Sequence, residues 1–594
     1  MLFYLDHKTT RDAGIKPVVL PAGDALPPAA ETGMLYLRQG RQALHRFEAP
    51  GEQLILVGDP VFSPRDGLFQ TIVAGPGDIR LDALFREIKG HYYWFYTGAG
   101  RFCCGSSFGA IFPVYYSVAG DRLTISSSSY ALAGRIDAGA QDKRNLLERL
   151  LFNYPFFDST WWSGVKLLDA HRYLHCDGQN TTVKGNFEVS DYFGSPENAS
   201  RDSLHELAQL FQSETRLFFP DSPFGISLTG GFDGRTLVAA ARKERRPFFA
   251  YSFGRPDSTD VTLPAKQAAA LQVPYFPVPL DERYLEQNAL ASARAFMRLT
   301  DFNGNFGRPH YHHAAEALSE KTGHILTGNF GSELFRALHI PGVMMSECLI
   351  RIFAAPDDSW KDFLRRAAQG WDRDFFHRET EELIAGIEAY VGKMKGWEPN
   401  HKFYRFVFNE IFRKYFGPEL VMQSEFLNNR TPYLNLHFFE QLNRTIWSGV
   451  HSRIFEKTKS KRMKGQLFYA TFIKQSDPAL YRMNTNKGYS PADVLETWRL
   501  PLLLAKVVAH KYLFYKDIDD NSVSAFFNRY HSRLAEEIAE NPLPPFMQAF
   551  FGDRKKRAPA FQNPDSLIKV YSIAAGWSAA SRQTTPPAPA FLTG

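Results

Sequence analysis

The chain has 594 residues, 44% of them hydrophobic, enough for two or three domains that each bury a sizeable core. Its 69 basic and 63 acidic side chains leave a formal charge of only +6, so no strong field is available to hold nucleic acid or an anionic membrane. Four cysteines, two of them adjacent at Cys103 and Cys104, form neither a disulfide framework nor a CxxC metal spacing, and a reducing cytoplasmic setting fits.

The first residues, MLFYLDHKTTR, are interrupted by Asp6 and Lys8 too early for a signal peptide. Up to about residue 190, short runs rich in Tyr, Phe, Val and Ile alternate with Gly, Asp and Asn. HYYWFYTGAGRFCCGSSF and AIFPVYYSVAGDRLTISSSS are examples, and the pattern predicts strands and hairpins. From about Ser203 the period changes: LHELAQLFQSETRLFF spaces its apolar residues as an amphipathic helix does. Strand and helix patterns then alternate through FGISL, RTLVAAARKE, FFAYSF, LPAKQAAALQ, VPYFPVPL, HHAAEALSEKT and HILTG, the sequence form of a parallel sheet covered by helices. Beyond about residue 345 the periodicity is mostly helical, as in WKDFLRRAAQGW and FYRFVFNEIFRKYF. The run from Leu500 is broken by Lys506, His510 and Lys511; it falls short of the roughly 18 apolar residues a membrane span needs and reads as a buried helix. Two basic clusters, ARKERR from Ala241 and EKTKSKRMK from Glu456, read as solvated faces. The last residues, SRQTTPPAPAFLTG, read as a tail.

One loop carries chemistry. In ISLTGGFDGRT, from Ile226, a strand ends in Thr229, Gly230 and Gly231 and turns at once into a helix. Backbone N–H groups at such a helix start are expected to lack partners and to point into the crevice beyond the sheet, where glycines admit a phosphate and Thr229 adds a hydroxyl. Asp233 would repel a bare phosphate, so the useful reading is that it holds Mg²⁺ bridging to phosphate oxygens. Neither GxxxxGK[ST] nor GxGxxG is present there.

LTGGFDGR resembles the S-G-G-x-D-S pyrophosphate loop of the asparagine synthetase-like amide ligases. Tyr251-Ser-Phe-Gly254 with Asp260, LTGNFGSELF from Leu326, NRTPYLN from Asn429 and NTNKGYSP from Asn484 resemble later segments of that family, in its order. GRFCCGSSFGAIFPVYYSVAGDRLTISSSSYAL and GVKLLDAHRYLHCDG resemble its glutaminase domain. The resemblance implies an α/β protein with three parts. An αββα Ntn-hydrolase-like domain spans 1–195, an N-type ATP pyrophosphatase domain with a helical C-terminal part spans 196–575, and a tail spans 576–594. It further implies ATP and Mg²⁺ as cofactors, with nucleotide held by Leu228, Thr229, Gly230, Gly231, Asp233, Gly234, Ser252 and Gly328. Asp233 and Glu333 would ligate metal, with Glu333 and Lys487 catalytic. Lys487 would neutralise charge as a carboxylate attacks the α-phosphate and again as an amine attacks the acyl-adenylate. Arg308, His310 and Asn329 would line the acceptor pocket, with Arg308 and His310 gripping a substrate carboxylate.

Departures are as informative. The family's glutaminase uses an N-terminal cysteine after Met removal; here Leu2 stands there, so glutamine hydrolysis is expected to be absent. Asn329 stands where amide synthetases have Glu, and Ser332 where they have a second Mg²⁺-binding Asp. Gly234 replaces a serine, and Arg235 is expected either to reach a phosphate or to face solvent. His310, His312 and His313 lack the spacing and company of a zinc site. The expected activity is therefore AMP-forming amide-bond synthesis between a carboxylate, small molecule or peptide, and an amine. The substrate is left open between peptide ring closure as in lasso cyclases, a β-amino acid as in β-lactam synthetases, and a sugar acid. A homodimer is one expected assembly, and neither nucleic acid nor membrane is an expected partner. The alternative is a catalytically impaired relative that binds nucleotide as a scaffold or regulator.

Overall fold

The computed structural model describes residues 3–8, 16–20, 33–38, 43–73, 78–177, 180–196, 202–335, 345–354, 358–453, 464–510, 520–552 and 564–583. Leu2, residues 456–463 of the second basic cluster and residues 584–594 of the expected tail lie outside these.

Twelve strands come first, as the turn-punctuated apolar runs predict: β1 Phe3–Lys8, β2 Lys16–Leu20, β3 Met34–Arg38, β4 Ala43–Ala49, β5 Glu52–Val61, β6 Lys89–Gly98, β7 Arg101–Ser106, β8 Tyr115–Ala119, β9 Arg122–Ser126, β10 Lys166–Leu167, β11 Tyr173–Cys176 and β12 Thr181–Lys184. They form two six-stranded sheets, ordered β10-β8-β9-β1-β3-β2 and β12-β11-β7-β6-β5-β4. All pairings are antiparallel except β2 with β3. The sheets meet through aromatic rings: Phe3 of β1 lies 4.7 Å from Tyr93 and 5.2 Å from Phe95 of β6. The run His91–Tyr96 is buried without alternation, so β6 is covered on both faces, which is why it reads as continuous apolar sequence. Cys103 and Cys104 sit on β7, fully buried, and burial pushes both thiols up.

The second half is built on a five-stranded, wholly parallel sheet ordered β15-β14-β13-β16-β17, from β13 Phe224–Ser227, β14 Phe248–Gly254, β15 Tyr275–Pro279, β16 His324–Leu326 and β17 Asn428–Arg430. The chain builds outward on one side of β13 and then crosses to the other with β16. Strand order reverses there, and in open parallel sheets the crevice beyond the carboxyl ends at such a point takes ligands.

Helices dominate after residue 345, as expected, and the structure refines that reading at three points. FYRFVFNEIFRKYF is not one α-helix: Pro399–Phe406 is α-helical, and Val407–Phe416 is a ten-residue π-helix. The run from Leu500 does form a helix, Leu500–Ala509, but not a buried one, since Leu504 is 67% and Val508 55% exposed. The helix Pro564–Gln583 extends past residue 576, where the tail was expected to begin, and buries Trp577 and Ala580. It docks on the first half, with Tyr130 Oη donating to the Gly576 carbonyl at 3.0 Å and Gln141 to that of Trp577 at 2.8 Å. The halves are also clamped by a bidentate pair, Arg430 to Asp59, at 2.7 and 2.9 Å. Of the first basic cluster, Arg242 and Arg246 are not free solvated charges: Arg242 pairs with Asp477 and Arg246 donates to the Pro220 carbonyl. No described helix is long and apolar enough to cross a membrane.

Candidate functional site

β13 gives way at Leu228, whose N–H still bonds Tyr251 at 2.8 Å, and the chain turns through Thr229–Phe232 into the helix Asp233–Lys243. Gly234 is a fit rather than a missing hydroxyl: a Cβ there would lie 2.0 Å from the Ser227 carbonyl oxygen, so the helix start can rest on the strand end only without one. Leu228 is fully buried and offers only backbone to the crevice.

Two amides of the loop ahead of the helix start have partners. Gly230 N–H donates to Asp260 Oδ1 at 3.3 Å and Gly231 N–H to Thr229 Oγ1 at 3.4 Å, because the first turn of the neighbouring helix Thr259–Leu271 brings a carboxylate over the loop. An anion seated there competes with Asp260. Arg235 neither reaches the loop nor faces solvent. It is fully buried, and its guanidinium donates to the carbonyls of Met483 and Asn484 at 2.6 and 2.9 Å. It fixes the segment that carries Lys487, and Asn486 N–H closes the same junction on the Gly230 carbonyl at 3.0 Å.

The loop after β16 meets Asp233 from the other side. Ser332 Oγ donates to Asp233 Oδ2 at 3.0 Å, while Oδ1 is buried without a hydrogen-bond partner among the described residues. A Cβ on Gly328 would lie 2.5 Å from Asp233 Cβ, and one on Gly331 would lie 2.8 Å from Oδ1, so glycines let the backbone of this loop pack directly against Asp233. Phe330, between them, holds a left-handed φ of 71° with its ring packed on Phe412 and Phe416, a costly conformation for a bulky residue, of the kind that gathers at functional loops. Tyr433, from NRTPYLN, donates to the Asp233 carbonyl at 3.2 Å.

Gly231, Asp233, Ser332 and Lys487 thus line one small cleft of about 70 Å³, with Phe232, Gln466, Tyr469, Thr485 and Asn486 completing it. Gln466 and Tyr469 come from the helix Lys464–Ser476, and no local motif announces them. Glu333 does not line this cleft; its carbonyl accepts from Tyr404 Oη at 2.8 Å, and the residue facing Asp233 is its neighbour Ser332. Ser252 is 2% exposed and its hydroxyl is shared with Tyr275 at 2.5 Å.

Arg308 and Asn329 converge elsewhere, on a carboxylate that sequence reasoning missed. Glu419 is buried, and burial pushes it up to about 7. Asn329 Nδ2 donates to its Oε1 at 3.5 Å, and Arg308 stands 3.9 Å from Oε2 while stacking on Tyr415 at 4.3 Å and donating to that residue's carbonyl at 3.2 Å. The Arg308 guanidinium is thus already engaged within the protein. His310 is buried between Phe253 and Tyr311, and burial, then Arg308, pushes it down to about 3, so it carries no charge for a carboxylate at neutral pH. His312 and His313 face different neighbours, Phe426 and Tyr284, and no group of three or more metal-ligating side chains occurs among the described residues.

No protein-family model and no curated protein matches the chain. Among solved structures it is similar to the glutamine phosphoribosylpyrophosphate amidotransferase of B. subtilis complexed with ADP and GMP, at 12% identity over 41% of this chain and 50% of that one, with a TM-score of 0.15. The chain spans about half of that structure's length, and a likeness this slight carries no argument.

Proposed function

We propose that the chain is an AMP-forming ligase: ATP activates a substrate carboxylate as its adenylate, pyrophosphate leaves, and an amine takes the acyl group. One observation carries this reading. Asp233, Ser332 and Lys487, from three distant segments, line a single cleft that opens where the parallel sheet reverses its strand order. The parts suit the chemistry. Lys487, exposed at the cleft, would supply an ammonium to phosphates bound there, where charge develops in both steps. The Asp233 Oδ1 atom, without a partner among the described residues, fits a divalent ion, whose contribution when bound would be to neutralise phosphate charge. The amine comes with the substrate or as free ammonia. Cys103 and Cys104, buried with raised thiols, are poor nucleophiles for glutamine.

The test is pyrophosphate release from ATP across candidate carboxylates, with and without added amines. The expected products are AMP and pyrophosphate, and Asp233→Ala should cut the rate about a hundredfold or more. ADP as sole product, or an undiminished Asp233→Ala rate, ends this reading. A second reading, a nucleotide-binding scaffold, is favoured by Asp260 occupying the Gly230 amide and by Asp233 being the single carboxylate among the described residues that line the cleft. Tight nucleotide binding with no product from any carboxylate would select it.

A further inference from the structure

We infer that the helix Leu500–Ala509, with Trp498 before it, docks the protein on the surface of a lipid bilayer, its outward face entering by apolar insertion rather than by charge. Five of the seven large hydrophobic side chains that the described residues expose lie between Trp498 and Val508, with Trp498 at 71% and Leu504 at 67%. Scattered exposed apolar residues are ordinary, but a cluster on one helix marks a contact surface. The helix is amphipathic in reverse. Leu503, Lys506 and His510, at helical spacing, face the protein: Leu503 is buried, Lys506 Nζ reaches Asp493 Oδ2 at 2.7 Å, and His510 Cβ lies 3.1 Å from the Cβ position of Gly488. Pro501, Leu502, Leu504, Ala505 and Val508 are exposed on the opposite arc.

Charge, polarity and size favour lipid over a protein partner. No acidic side chain occurs from Thr497 to His510, and both fixed cations there are turned back and neutralised, Lys506 on the buried Asp493 and Arg499 Nε on Glu496 Oε2 at 2.8 Å. No unpaired ion has to leave water when the outward arc is covered. That arc also carries no side-chain donor or acceptor, whereas protein interfaces form about one hydrogen bond per 100–200 Å². Hydrocarbon asks for none. Ten residues of helix make a strip about 15 Å long and about 10 Å wide, far short of the roughly 800 Å² that each partner gives to a stable dimer. Trp498, its ring 4.6 Å from the Arg499 guanidinium, stands at the end of the strip, and indoles of this kind settle at the level of lipid headgroups. No described helix spans a bilayer; this one would lie in its surface, which revises the expectation that no membrane takes part.

The experiment uses the full chain and vesicles of phosphatidylcholine, read by co-sedimentation at low and high salt. Expected is saturable binding that salt leaves unchanged and that Leu504→Asp weakens about tenfold or more. Val118→Asp and Val183→Asp, at the two exposed hydrophobics of the first half, should bind as wild type does. The emission that distinguishes wild type from Trp498→Phe should shift to the blue on vesicles, a readout that keeps the proposal testable should Leu504→Asp unfold. Absence of vesicle binding, binding undiminished in Leu504→Asp, binding lost at high salt, or a dimer in solution that Leu504→Asp dissociates would each overturn the inference, the last by showing that a second copy covers this face. None of these outcomes bears on the cleft at Asp233.

Discussion

Two polar clusters in the second half of the chain are built on opposite plans. On the π-helix Val407–Phe416, the charges of Glu410, Arg413 and Lys414 answer one another in the dry interior, with side chains only 3 to 4% exposed. Glu410 accepts the Phe157 N–H at 3.0 Å and pairs with both cations, while Arg413 and Lys414 donate to carbonyls of Leu168 and Phe157. These contacts tie the helical part to the first half. In the cleft at Asp233, by contrast, one carboxylate oxygen has no hydrogen-bond partner among the described residues, and Lys487 is exposed. The buried cluster, with only Arg413 Nε left without a partner among the described residues, serves adhesion; the cleft, with Lys487 exposed at its edge, keeps room for a ligand.

The largest expected effect follows from the buried cluster. Glu410→Ala leaves Lys414 buried without its ion-pair partner and Arg413 with only the half-exposed Asp169 at 3.6 Å, a loss on the order of 3 to 5 kcal/mol in chemical denaturation. Asp233→Ala should change stability by less than about 1 kcal/mol, because the atom it removes is already partly unsatisfied. If the two costs came out alike, the contrast between adhesive and ligand-ready clusters would be lost.

A pH series sharpens the contrast. Glu148, wholly buried, takes Arg144 Nε at 3.0 Å and the Phe156 N–H at 2.9 Å, yet burial pushes its carboxyl from 4.5 up to about 7. Between those values the folded state holds more protons than the unfolded chain. Its contribution is therefore complete below about 4.5 and lost as pH rises through about 7. Wild-type stability should fall by on the order of 3 kcal/mol from this group over that window. Glu148→Gln, whatever its absolute stability, should flatten the slope of unfolding free energy against pH; an unchanged slope would show that Glu148 does not titrate there.

How much of this was legible in the sequence depends on whether the signal is local. The alternation FGISL, RTLVAAARKE, FFAYSF is local, and it placed β13 and the helix Asp233–Lys243 correctly. The loop with Asp233, the Ser332 position and Lys487 was readable because each sits in a short motif, and the fold brings all three to one cleft. Glu419, Gln466 and Tyr469 were not readable: each belongs to a distant helix whose own pattern says only that it is a helix. Gly234 was read as a lost hydroxyl, since a sequence cannot display the strand carbonyl 2.0 Å from an absent Cβ. The i to i+5 register of VFNEIFRKYF was invisible for a similar reason: the apolar spacing of a π-turn differs too little from that of an α-turn for composition to choose.

The smallest effect tests the helix Leu500–Ala509, read as buried from its composition and found with one face open. Apolar content alone does not determine which side of a helix is covered, and here adjacent leucines have opposite environments: Leu503 is 3% exposed and Leu504 is 67% exposed. Leu503→Ala should therefore cost about 2 kcal/mol or more by leaving a cavity, and Leu504→Ala within about 0.5 kcal/mol of nothing. Thermal or chemical unfolding of the pair reads the difference directly. Equal and large losses would mean that both faces are packed in solution and that the helix is covered after all. Equal and negligible losses would mean that neither leucine is packed, which would detach this helix from the neighbouring segment where His510 Cβ lies 3.1 Å from the Cβ position of Gly488, one residue from Lys487.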